Sequence, residues 1–153
     1  NQKIIDVPTC KIIGLRYFNV YGSGEGHKKD MASPIHKFIE QSKKLGQISI
    51  FQGSENFSRD FIHVSDVANI TINSIDFESG IYNVGTGTSR SFKDVADIIS
   101  KLTNSRIVEI PFPKNLIGKY QNYTCSDNEK ISKFINKNTK LQLEEGIRLT
   151  YSE

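Results

Sequence analysis

Apolar positions along the chain switch between a strand-like and a helix-like spacing. Lys11 to Val20 (KIIGLRYFNV) concentrates Ile12, Ile13, Leu15, Tyr17 and Phe18, and reads as a mostly buried strand. Ser23 to Asp30 (SGEGHKKD) is polar, carries Gly24 and Gly26, and predicts a loop at that strand's end. Ser33-Pro34 is a helix start, since Ser can cap and Pro suits the first helical position. Ile35, Phe38, Ile39 and Leu45 supply its stripe, and Gly46 its stop. A short strand follows over Ile48 to Phe51, then a turn-rich stretch (QGSENFS), then a strand over Arg59 to Val64. Ser65 or Asp66 caps a second expected helix with Val67, Ile70, Ile72 and Ile75. Gly80 to Val84 is a strand closed by Gly85-Thr86-Gly87, and Ser91 opens a third helix with Asp94 at the capping-box position. That helix carries Phe92, Val95, Ala96, Ile99 and Leu102 at helical period. Arg106 to Ile110 reads as a strand, Pro111-Phe112-Pro113 as an extended turn, and two weaker helices are expected near Glu129 to Ile135 and Leu143 to Tyr151. Alternation of this kind predicts an α/β fold.

Composition narrows the function classes. The 153 residues are 37% hydrophobic, which suits a packed core rather than a disordered chain. The net charge of +3 comes from 20 basic and 17 acidic residues, too mixed to point to a nucleic-acid partner. No apolar run approaches the ~20 residues that span a bilayer, so no membrane partner is expected. Cys10 and Cys125 lie far apart without metal-ligand spacing, and read as two reduced thiols of a cytoplasmic protein.

Candidate chemistry gathers at the end of the first strand. Asn19, Glu25, His27, Lys28, Lys29 and Asp30 stand where ligands enter the crevice of open α/β sheets. A lysine there can bind phosphate or transfer protons. Arg59, Lys119 and Tyr120 would suit a nucleotide diphosphate and its base. Other features have plainer readings. Gly22 to Gly26 and Gly85 to Gly87 lack the remaining spacing of a dinucleotide fingerprint and read as tight turns. His27 and His63 read as surface or satisfied residues, and the adjacent Arg59 and Asp60 as a structural ion pair or ladder end. No serine-hydrolase order, HExxH or Walker motif occurs.

Three segments resemble the extended short-chain dehydrogenase/reductases that act on nucleotide sugars: LRYFNVYG (Leu15 to Gly22), RDFIHVSDVA (Arg59 to Ala68) and YNVGTG (Tyr82 to Gly87). EGHK (Glu25 to Lys28) with MAS (Met31 to Ser33), FQGSENFSRDF (Phe51 to Phe61), IPFP (Ile110 to Pro113) and GKYQ (Gly118 to Gln121) resemble the branch that epimerises ADP-heptose. The resemblance runs from about residue 11 to the end and weakens after Asp127. It implies the C-terminal portion of an extended Rossmann-like fold plus a small substrate-binding domain. Residues 1–22 would end the Rossmann-like domain and 23–153 would be mainly substrate-binding, with 66–102 returning to the Rossmann-like sheet. It also implies an NADP-dependent inversion at sugar carbon six, for the inner core of lipopolysaccharide, in a cytoplasmic homo-oligomer. Hydride leaves the sugar for NADP+ and returns to the opposite face, so two proton-transfer groups are needed. Lys28 matches one of them and also lies on the cofactor side; Val20 matches a cofactor contact. Asn19, Phe51, Gln52, Gly53, Ser54, Arg59 and Tyr120 match substrate contacts.

The sequence departs from that pattern in four places. Asp30 and Lys37 fall at two further substrate-contact positions, where the family often has Ser and His, and Lys37 stands next to His36. No Tyr-x-x-x-Lys occurs, and no glycine fingerprint. With Asn1 at the start and Met31 the sole methionine, the expectation is a C-terminal half, inactive by itself. Another nucleotide-sugar epimerase or dehydratase and a non-catalytic remnant stay open as alternatives.

Overall fold

The computed structural model describes residues 10–135 and 140–153, so residues 1–9 of the expected 1–22 stretch lie outside the described residues. The strands are β1 (Ile13–Tyr17), β2 (Asn19–Tyr21), β3 (Gln47–Phe51), β4 (Ser58–His63), β5 (Gly80–Val84), β6 (Ser89–Ser91) and β7 (Arg106–Ile110). The α-helices are α1 (Pro34–Leu45), α2 (Val64–Asn73), α3 (Phe92–Thr103) and α4 (Leu143–Ser152). β1 pairs in parallel with β5, β2 in parallel with β4, and β3 in parallel with β7, while β6 runs antiparallel to β4. This is the α/β class the sequence predicts.

The caps explain the two sharpest helices. Ser33 Oγ accepts the N–H of His36 at 3.1 Å at the start of α1, and Gly46 closes α1 at φ +61°. Ser91 and Asp94 form a reciprocal capping box on α3, each accepting the other's backbone N–H at 3.0 Å. α2 differs from expectation: its cap is His63, whose Nδ1 accepts the Ser65 N–H at 3.3 Å. Helical period puts Val67 and Ile70 of α2 inward, and leaves Ile72 and Ile75 exposed, as is Leu45 of α1.

Other differences come from pairing that periodicity cannot report. The Lys11 to Val20 stretch is two strands with different partners. The break falls at Phe18, whose N–H reaches Val84 O at 2.9 Å and whose O accepts the N–H of Val20 at 2.8 Å. Among the described residues β1 has a neighbour on one edge only, so Ile12 and Tyr17 are exposed rather than buried. β6 is three polar residues without strand patterning. The Ser23 to Asp30 segment is mostly a kinked 3-10 turn over Glu25–Met31, broken at Lys29 with φ 48° and ψ −120°. The Glu129 to Ile135 stretch forms only a 3-10 turn over Ile131–Lys133.

Two hydrophobic clusters result. Ile35, Ile39, Ile48, Ile50, Val95, Ile99 and Ile147 belong to one, built on α1, β3, α3 and α4. Ile62, Val67, Ile70, Phe77, Tyr82, Val84 and Ile131 form the other, built around β5 and α2. The 66–102 stretch is therefore shared: α2 and β5 pack in the second cluster, α3 in the first. No helix among the described residues is long and apolar enough to cross a membrane.

β4 joins the clusters, because Phe61 belongs to the first and its neighbour Ile62 to the second. Asp60 on the same strand is fully buried. Thr86 N–H and Oγ1 donate to its Oδ1 at 2.7 and 2.6 Å. Gly87 N–H donates to Oδ2 at 2.9 Å, and Ser126 N–H and Oγ at 3.0 and 2.6 Å. Arg59 and Asp60 do not pair with each other, because strand alternation sends them to opposite faces. Asp60 instead ties the Gly85-Thr86-Gly87 turn and the Ser126 loop to β4. A Cβ at Gly85 would collide with its carboxylate and with Ser126.

Removing this carboxylate leaves several donors without an acceptor. Asp60→Ala is expected to cost about 3 kcal/mol or more in urea unfolding, while Asp127→Ala, on an exposed residue nearby, stays within about 0.5 kcal/mol. Equal effects of the two substitutions would contradict this role for Asp60.

Candidate functional site

β2 runs directly into the loop that carries Lys28. Glu25 organises this loop from a buried position. Its carboxylate accepts the N–H of Gly22 at 3.3 Å, and the N–H and Oγ of Ser33 at 2.8 and 2.7 Å. Lys28 Nζ reaches the same carboxylate at 3.4 Å, with the lysine side chain 43% exposed. Glu25 thus clips the loop to the cap of α1 and holds the Lys28 ammonium at the end of β2. Burial alone would push the Glu25 carboxyl up. The Ser33 hydrogen bonds, the Lys28 charge and the Gly22 N–H outweigh it and hold the group below the ordinary carboxylate range.

A cleft of about 320 Å³ lies beyond this loop. α1 gives it Pro34, Lys37, Phe38 and Gln41; β3 gives Ser49, Ile50 and Phe51. Ser54 comes from the turn after Gly53, whose φ of +79° permits that turn. The aromatic side is Phe57, Phe92, Phe112 and Tyr120. Phe57 stacks on Phe112 with centroids 5.2 Å apart, and Phe51 and Tyr120 meet Phe112 edge-on at 5.5 and 5.8 Å. Arg59 sits behind this wall, its guanidinium 5.1 Å from the Tyr120 ring and 5.5 Å from that of Phe92. Its Nη1 and Nη2 donate to Ser58 O at 2.8 Å and Gln121 O at 2.6 Å. The fork is thereby fixed in orientation, with the side chain buried.

The cleft brings together four of the expected substrate residues: Lys37, Phe51, Ser54 and Tyr120, with Arg59 stacked on the last. Asp30 and Lys37, the two departures, meet each other, since Lys37 Nζ donates to the Asp30 backbone carbonyl at 2.7 Å. Lys28 lies with Glu25 rather than on the cleft lining. Asn19 and Val20 are half-buried on β2, opposite Phe61 and Ile62. Gln52 and Gly53 are outside the lining; Gln52 is exposed, and its N–H donates to Ile110 O at 2.9 Å. Lys119 is exposed beside Tyr120. Phe57, Phe112, Phe92, Gln41 and Ser49 were not singled out from sequence, although Phe57 and Phe112 stand inside the FQGSENFSRDF and IPFP stretches.

The histidines divide. His27 is exposed, with Nδ1 2.9 Å from Gly24 O. His63 is buried against Tyr21 and, among the described residues, its Nε2 has no partner, contrary to the expectation of a surface or satisfied residue. Burial lowers its pKa, with Asp66 and Glu153 opposing. Cys10 and Cys125 are both free thiols. Among the described residues no group of three His, Cys, Asp or Glu could hold a metal. Val20 and the Lys28 ammonium stand at the carboxyl end of β2, the end at which open α/β sheets take ligands. A glycine-rich turn for the diphosphate of a nicotinamide dinucleotide is not in the sequence.

Comparison with known proteins gives the family and the fold. A model of the NAD dependent epimerase/dehydratase family matches residues 4–85, just over half of the chain. The chain is 46% identical over 126 residues to an ADP-L-glycero-D-manno-heptose-6-epimerase of Brachyspira hyodysenteriae, covering 79% of this chain and 39% of that protein. The Helicobacter pylori enzyme of the same name has a crystal structure that superposes with a TM-score of 0.78 at 27% identity, covering 92% of this chain and 42% of that one. A Thermus thermophilus UDP-glucose 4-epimerase, solved in complex with NAD, superposes at 0.73 with 25% identity, covering 93% of this chain and 46% of that one. The chain thus spans about two fifths of the length of the curated relative.

The depressed Glu25 carboxyl fixes the sign of a pH effect. Stability from this group is fully present above the ordinary carboxylate pKa, and is lost as pH falls through its lower folded-state value. Wild type is expected to lose more of its unfolding free energy than Glu25→Gln between pH 6 and pH 3. Parallel losses in the two proteins would contradict the loop-clip role.

Proposed function

Because the chain belongs to the NAD dependent epimerase/dehydratase family, we propose that it is the sugar-nucleotide-binding part of an epimerase that acts on ADP-heptose. One observation carries the reading: a cleft walled by aromatic rings, with an oriented arginine stacked on one of them, beside a strand-end lysine. Aromatic walls suit a nucleobase, and the Arg59 guanidinium suits a diphosphate. Lys37, Ser54 and Tyr120 add polar contacts along the cleft. The names of the relatives point to ADP-heptose as the member of this substrate class.

Inversion at sugar carbon six requires hydride and proton transfer on both faces. The cofactor, which we take to be NADP, supplies hydride uptake and return when bound. Val20 and Lys28 would face it, with Asn19 at the sugar. Lys28 moves the proton at the sugar oxygen on one face. Glu25 positions Nζ for this, and the lysine's partial exposure leaves room for a ligand to approach. Its counterpart on the opposite face would come from outside the present sequence, which holds no Tyr-x-x-x-Lys. The product would feed assembly of a heptose-containing lipopolysaccharide core in the cytoplasm.

In the complete gene product, Lys28→Ala is expected to lower turnover of ADP-heptose by about 10²–10⁴-fold, the range for loss of one acid–base group, with cofactor still bound. Unchanged turnover would remove Lys28 from the mechanism. Arg59→Lys, which keeps the charge and loses the fork, is expected to raise KM about tenfold or more. Turnover of a UDP- or dTDP-hexose with none of ADP-heptose would replace the proposed substrate by another of the same class.

A further inference from the structure

Gln41 lies one turn beyond Lys37 on α1 and borders the cleft. Its Oε1 accepts the backbone N–H of Ser49 at 2.7 Å. A backbone N–H can meet only an acceptor, so this bond fixes which way the amide points: oxygen toward β3, NH2 away from Ser49. Among the described residues that NH2 donates to no protein group and is not buried, and Gln41 lines the cleft. The surrounding walls are the rings of Phe38, Phe51, Phe57 and Phe112. A mostly apolar cleft with one pinned amide on its lining offers a fixed donor and acceptor to the edge of a planar base.

We propose that Gln41 selects the base of the bound nucleotide, favouring a six-amino purine over a six-oxo purine. This rests on the reading of the cleft as the nucleotide site. Adenine presents a ring-nitrogen acceptor beside an exocyclic NH2 donor, on its N1/N6 edge and on its N7/N6 edge alike. A primary amide meets that pair with its NH2 on the ring nitrogen and the carbonyl's second lone pair on the exocyclic NH2. Hypoxanthine reverses the order at N1/O6 and offers two acceptors at N7/O6. An amide free to turn through 180° about its last bond would read either order. One pinned by Ser49 reads one order only. The discrimination therefore comes from the backbone of β3 as much as from the glutamine itself.

The test compares ADP with inosine diphosphate, which keeps the purine shape and the diphosphate and changes only the six-position and its neighbour. Titration calorimetry on the complete gene product is expected to show wild type binding ADP about tenfold more tightly than inosine diphosphate. Gln41→Glu keeps both the shape and the Ser49 bond but replaces the donor by an acceptor, so the preference for ADP should disappear. Gln41→Ala should bring the ratio close to one while both ligands still bind through Arg59 and the rings. Equal affinities in wild type, or a preference that survives in both variants, would overturn the assignment of Gln41 and leave the cleft reading standing. Failure of wild type to bind ADP at all would overturn both.

Discussion

Strand β4 has no face turned to solvent: Arg59 to His63 are all buried, and consecutive side chains go to different tasks. Arg59 turns to the aromatic cleft, Asp60 to the carboxylate hub, Phe61 to one hydrophobic cluster and Ile62 to the other. A strand buried on both faces must satisfy its polar side chains internally. Asp60 does so with donors from two distant loops, and Arg59 with two backbone carbonyls and two rings. The placement of the cleft follows from that constraint. A register slip of one residue that put the guanidinium in the hub would put the carboxylate in the place of Phe61, within the first hydrophobic cluster.

The site's two charged parts are held by different means. The Lys28 loop depends on a short-range clip, Glu25 to Ser33, which couples the loop to the cap of α1. The cleft depends on packing, since its rings contact one another and Arg59 in an edge-and-face array. α1 belongs to both: its first residues close the clip, and its second and third turns carry Lys37 and Gln41. Small movements of α1 would therefore change the lysine loop and the cleft together. Under the proposed function, such coupling would link the nucleotide end of the site to the end where the sugar reacts.

Much of the fold is readable in the sequence wherever a local interaction decides the outcome. Ser33-Pro34 with Gly46, and Ser91 with Asp94, mark α1 and α3 because capping involves residues only a few positions apart. What escapes a sequence reading is decided at long range. The partner change at Phe18 depends on Val84, the capping role of His63 on where β4 ends, and the short β6 on the edge of β4. Site residues divide the same way. Lys28, Arg59, Phe51, Ser54 and Tyr120 stand out through motif resemblance, whereas spacing alone shows nothing that unites positions 37, 51, 54 and 120. Phe57, Phe112 and Gln41 pass for ordinary core or surface residues until folding sets them around one cleft. The departures at Asp30 and Lys37 gain a physical context as well, because the two residues hydrogen-bond to each other.

On the proposed function, the aromatic cleft beside Arg59 holds the nucleotide of a nucleotide sugar. A crystal structure of the complete gene product with ADP tests it most directly. The base is expected in the cleft against the rings of Phe51, Phe112 and Tyr120, and the diphosphate toward Arg59. Nucleotide density elsewhere, with the cleft holding only solvent, would contradict it.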